Sequence, residues 1–199
     1  MSIFQQPNSF LGSLQIPSPP KRNIFISYYH ADQLAVNEFI QRFSLNENIF
    51  TANMLAADQS FGGDLINSNN PSYVMQKIRE RYFGHSTVTI ILLGTCSHSR
   101  RYIDWEVKSS LQTGGIGGRA PHGLIAINLC KTNSGRWLPP RFEQNSDYAK
   151  YYRYPNSGQE LRGWIEEAYT ARTSKRHLIT NAQEMLRNNR QCKHCGRIH

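Results

Sequence analysis

The chain has 199 residues, with 23 Lys+Arg against 14 Asp+Glu for a formal charge of +9. At 39% hydrophobic and 19% charged residues its composition is globular, which excludes fibrous and wholly disordered classes. A chain of this size hides roughly 70% of its unfolded surface around one core, so one domain is expected and neither metal nor disulfide is needed for folding. The charge is uneven: residues 172–199 carry seven basic residues against Glu184 alone, a surplus of +6.

Residues 1–20 have no basic n-region and no continuous apolar stretch, and Pro7, Pro17, Pro19 and Pro20 interrupt them. They read as a flexible leader rather than a signal peptide. No apolar run approaches the roughly 18–20 residues of a membrane span, and the longest, Val88–Gly94, is strand-sized. A soluble, cytoplasmic protein with no membrane partner is expected. Reduced cysteines agree with this, since Cys96 and Cys130 stand isolated and only Cys192 and Cys195 are close in sequence.

In chain order, NIFISY (23–28) reads as a strand apolar on both faces. Asp32 follows as an N-cap, and Val36, Phe39, Ile40 and Phe43 form one face of a helix. IFTANMLA (49–56) is a weaker strand, and the polar, glycine-bearing stretch 58–70 a long loop. A helix beginning at Pro71 carries Val74, Ile78 and Tyr82 and stops at Gly84. TVTIILL (87–93) is the clearest strand; a helix over 101–112, ended by the glycines of TGGIGG, and the strand GLIAINL (123–129) follow. The aromatic run 148–154 reads as a connection over the sheet edge that could also roof a pocket. Ser157 and Glu160 form a capping box for a last helix with Leu161, Trp164, Ile165, Ala168 and Tyr169 on one face.

Strands alternating with helices predict an α/β protein, a flavodoxin-like doubly wound parallel sheet with helices on both faces over residues 21–171, followed by a basic tail over 172–199. Such sheets bind ligands beyond the carboxyl ends of the strands where strand order reverses. That rule brings Tyr28, Tyr29, His30 and Asp32, after the first strand, to face Gly94–Ser99 and the helix bearing Glu106. At 100° per residue Glu106 lies about 60° from Ile103, which places its carboxylate at the border of the core stripe. Partial desolvation there raises its pKa and favours a cationic ligand; a half-exposed surface glutamate is the plain alternative. Arg100 and Arg101 crowd a helix N-terminus that is already positive. They fit an anion such as a pyrophosphate bound there, or side chains that extend into water or pair with Asp104.

RNIFISYYHAD (22–32), STVTIILLG (86–94) and above all SRRYIDWEVKSSL (99–111) resemble bacterial TIR-like domains, in particular the ThsB family of Thoeris antiphage defence. The resemblance spans about residues 21–171, although QSFGGD (59–64) stands where more typical TIR domains carry a proline-containing motif. It implies the TIR-like version of the doubly wound fold and an enzyme that cleaves NAD, releases nicotinamide and makes an ADP-ribose-derived, commonly cyclic, nucleotide that activates a separate effector protein. Glu106 would be catalytic. NAD is then a substrate rather than a cofactor, and a phage-derived trigger and a homo-oligomer are further expected partners. Tyr28, Tyr29, His30, Asp32, Ser99, Arg100, Arg101 and Trp105 are the candidate substrate-binding residues, the aromatic ones as stacking surfaces or as ordinary core and rim residues. A non-catalytic flavodoxin-like module that senses a phage component or binds a protein is the alternative.

The ending QCKHCGRIH offers three possible zinc ligands, Cys192, Cys195 and His199, where a closed site normally shows two complete ligand pairs. A solvated, reduced tail without metal is the expectation, with those three as the ligands should zinc bind. The tail has no aromatic residue for base stacking, so nucleic acid is not the expected partner. GGIGG (114–118) follows a helix rather than a strand, the wrong context for a dinucleotide fingerprint.

Overall fold

A computed structural model describes residues 20–54, 73, 83–113, 120–130 and 137–198. The leader, the 58–70 loop, almost all of the 71–84 helix, GGIGG and the candidate zinc ligand His199 lie outside these. Strands β1 (Arg22–Tyr28), β2 (Phe50–Met54), β3 (Val88–Leu93), β4 (Gly123–Asn128) and β5 (Lys150–Tyr152) form one sheet in the order β2-β1-β3-β4-β5. Every neighbouring pair is parallel. This is the flavodoxin-like order, in which the chain winds outward in both directions from β1 and β3. Among the described residues no helix is long and apolar enough to cross a membrane.

The central strands are apolar on both faces because both faces are covered. Ile24, Ile26, Ile90, Leu92, Ile125 and Ile127 pack against helices α1 (Gln33–Ile40) and α4 (Gly158–Ser174). Ile91, Leu93, Leu124 and Ala126 pack on the other side with Ile103, Val107 and Leu111 of helix α2 (Arg101–Ser110) and its last turn. The Ser157 hydroxyl caps α4 by accepting from the Glu160 amide, as the capping box predicts.

Two parts of the chain differ from expectation. The aromatic run does not merely pass over the sheet edge: Lys150–Tyr152 is itself the edge strand, in register with Ile125–Ile127 of β4. Nor is the basic segment solvated along its length. Beyond α4, residues 179–192 lie against α2 and the short helix α3 (Pro140–Glu143). Lys108 donates to the carbonyls of Asn181 and Gln183, the Leu186 amide donates to Asp104 and the Arg190 amide to the Ser99 carbonyl. Backbone hydrogen bonds and a few buried groups hold this segment, so it has no apolar periodicity from which packing could be read.

Candidate functional site

Alternation along β1 turns Ile24 and Ile26 to one face and Phe25 and Ser27 to the other. Phe25 packs there with Phe83 and Trp105, and one step further along β1 the small polar Ser27 takes the place of an apolar residue. Its hydroxyl donates to Glu106 Oε2 at 2.5 Å. Glu106 is therefore not at the border of the core but inside it, 6% exposed. Burial is the main force on the carboxyl and pushes its pKa from the ordinary 4.5 up to about 8, with the Ser27 hydrogen bond opposing.

Above this carboxyl, at the carboxyl ends of β1 and β3, the structure gathers several of the predicted residues. Tyr28 is half-buried, with its hydroxyl donating to Gln33. Burial raises its pKa, Gln33 opposes, and the charge of nearby Glu106 raises it further. The Arg100 guanidinium lies 3.6 Å over the Tyr29 ring, whose edge meets the exposed His30 at 4.4 Å. Asp32 stands at the N-cap position of α1 but makes no cap with its side chain. Its carboxylate turns instead to Ser97, whose hydroxyl donates to it at 3.1 Å and accepts from the Gly94 amide at 3.0 Å. Burial raises the Asp32 pKa, and Ser97 and Arg100 oppose that rise.

Arg100 is the least satisfied group of the set. It is 5% exposed, yet Nε and Nη2 have no hydrogen-bond partner among the described residues. A buried guanidinium held by one aromatic face is poised for an anion.

Gly94 makes this arrangement feasible, because a Cβ there would lie 2.0 Å from Asp32 Oδ1. Gly94→Ala is expected to turn the Asp32 carboxylate away from Ser97 and to cost about 1 kcal/mol. Thermal melts of Gly94→Ala, Ser97→Ala and the double variant check this: the two losses should fall short of adding, since both act on one carboxylate.

Three other candidates belong elsewhere. Trp105 is 1% exposed and spends its indole N–H on the Leu186 carbonyl at 2.7 Å; it is a core residue, not a stacking surface. Arg101 points to the C-terminal segment, donating to the Arg187 carbonyl and the Tyr102 hydroxyl. Its amide, at the α2 N-terminus expected to receive an anion, is taken by the Asn189 side chain. Ser99 is buried, with its hydroxyl on the Cys96 carbonyl. Asp104 pairs with neither Arg100 nor Arg101 but with Arg141 at 2.9 Å.

Ser27 and Ser97 were not singled out by sequence. A serine inside an otherwise apolar double-faced strand was the available signal for the first, and the second becomes visible only once Asp32 is seen turned across the crevice.

A parallel sheet in the order β2-β1-β3-β4-β5, with a buried carboxyl and an unsatisfied guanidinium at its switch point, defines a flavodoxin-like α/β domain with a built polar site. Residues 25–134 match the family model described as Thoeris protein ThsB, TIR-like domain, and the chain belongs to that family of Thoeris antiphage defence. No curated protein matches the chain.

Proposed function

We propose that the protein cleaves the bond between nicotinamide and ribose in NAD and makes an ADP-ribose-derived signalling nucleotide, with Glu106 as the catalytic carboxylate. The observation that carries this reading is the buried Glu106 carboxyl beside Ser27 at the switch point of the sheet. As the bond breaks, its electron pair leaves with nicotinamide, whose ring becomes neutral, and positive charge develops on the ribose. A carboxylate in a dry site beside that sugar stabilises the transition state more than the substrate. A hydroxyl, a ring nitrogen of the adenine or water then bonds to the ribose carbon; a hydroxyl or water loses its proton in doing so. An acceptor within the same molecule gives a cyclic product for a separate effector to detect. Arg100, with its unspent N–H groups, suits the pyrophosphate, and Tyr28, Tyr29, His30 and Asp32 are the proposed substrate contacts beside it.

Free Glu106, held up to about 8, carries a proton at neutral pH. The cationic nicotinamide ring favours its ionisation, so kcat/KM should rise with pH and level off above about 8, and kcat should level off at lower pH. Ser27→Ala removes the group that opposes the upward shift, so the kcat/KM profile of that variant should move to higher pH. An unmoved profile would take the ionisation away from this pair.

The deciding experiment is NAD consumption with mass analysis of products, for wild type and Glu106→Gln, with purified protein and in lysate of infected cells. Nicotinamide plus a new ADP-ribose-derived species, absent from the variant, supports the reading; intact NAD under both conditions overturns it in favour of a non-catalytic sensing module.

A further inference from the structure

Cys96 is 96 residues from Cys192 in sequence but meets it in space. Cys96 lies on the loop after β3, and Cys192 and Cys195 lie on a turn brought onto that loop by the C-terminal segment. The Sγ atoms of Cys192 and Cys96 are 3.2 Å apart, those of Cys96 and Cys195 4.0 Å, and all three lie within 4.8 Å of one another. Tetrahedral zinc with bonds of about 2.3 Å to thiolate sulfur spaces its sulfurs about 3.8 Å apart, and the observed separations bracket that spacing. None of the three cysteines is in a disulfide.

The turn that carries Cys192 and Cys195 is closed by backbone hydrogen bonds. The Cys192 amide donates to the Arg197 carbonyl at 2.8 Å, which folds the chain back on itself just after Cys195. Gly196, at φ +71, takes the left-handed conformation that closes the turn, with its amide on the Cys192 carbonyl at 2.8 Å. The loop bearing Cys96 is fastened to the turn from the side. His98 Nε2 accepts from the Lys193 amide at 3.0 Å, so this imidazole is a buttress rather than a ligand.

We propose that Cys96, Cys192 and Cys195 bind a zinc ion that clamps the C-terminal segment to the loop between β3 and α2, with water in the fourth position. Each thiol releases its proton to solvent as it ligates. Zinc binding here requires no NAD chemistry, and it gives the segment 179–198 a role, since the clamped loop also carries Ser97 and Arg100 of the polar site.

The test uses the full chain purified without a metal-affinity tag and kept reduced. Elemental analysis should find about one zinc per chain, falling severalfold in Cys96→Ser and Cys192→Ser. Cobalt(II) in place of zinc should show the intense charge-transfer absorption of thiolate ligands. With wild-type protein alone, a strong chelator should increase proteolytic cutting within residues 179–198 severalfold, and added zinc should reverse it. Zinc no higher in wild type than in the serine variants, a Cys96–Cys192 disulfide persisting under reduction, or cutting indifferent to chelator would each overturn the proposal.

Discussion

Glu106→Gln is expected to abolish NAD cleavage and, above neutral pH, to make the protein more stable than wild type. On the proposed reaction, the first effect follows from removing the charge that would meet the developing ribose cation, a loss on the order of 10³-fold for one preorganised electrostatic group. The second follows from burial. In the unfolded chain Glu106 ionises near 4.5, whereas in the fold it is held up to about 8. Between those values the folded protein keeps a proton that the unfolded chain has lost. Stability therefore falls as pH rises through this window, and the loss is complete above the folded value. It amounts to a few kcal/mol, with about 5 as a ceiling. Glutamine does not titrate, so melting temperatures of the two proteins should lie close together near about pH 4.5 and separate in favour of the variant toward about pH 9. A constant offset across that range would mean that the carboxyl is not buried as a neutral acid; cleavage surviving in the variant would remove Glu106 from the reaction.

Arg141→Ala should be the most damaging single change away from the site. Arg141 and Asp104 form a buried pair with side-chain exposures of 0% and 5%, and the guanidinium also donates to the Gln183 and Glu184 carbonyls. Truncation leaves Asp104 charged and buried with the Leu186 amide as a remaining donor, a loss of about 3–5 kcal/mol. It also frees the C-terminal segment from α2, which limited proteolysis within residues 179–190 should report together with the fall in melting temperature. Replacing both partners with apolar residues of similar volume, Asp104→Leu with Arg141→Met, should recover much of the stability. If the double variant melts no higher than Arg141→Ala, packing rather than the uncompensated charge dominates.

The doubly wound parallel sheet was legible because double-faced apolar strands and amphipathic helices are local signals. NIFISY, TVTIILL and GLIAINL each became central strands, and Ser157 with Glu160 marked the start of α4. The depth of Glu106 was not legible. Helical periodicity gives the angle of a residue from the core stripe but not the breadth of what covers the helix, and here a segment without periodicity, residues 179–192, adds cover to α2. The same segment explains Trp105 and Arg101, whose partners Leu186, Arg187 and Asn189 lie about eighty residues downstream. Asp32 was placed correctly at the start of α1, but a nearby hydroxyl won its side chain from the cap. β5 was missed because a short edge strand rich in tyrosine looks like any aromatic connection.

That late cover bears on how the chain is made. A nascent chain that has emerged only as far as α4 already contains every strand of the sheet, yet the Trp105 indole, the Asp104–Arg141 pair and the first turn of α2 still wait for their downstream partners. During synthesis this face is a sticky, half-finished surface. Codon usage, chaperone supply and growth temperature should therefore influence yield most through residues 179–192, a stretch whose own composition marks it as harmless.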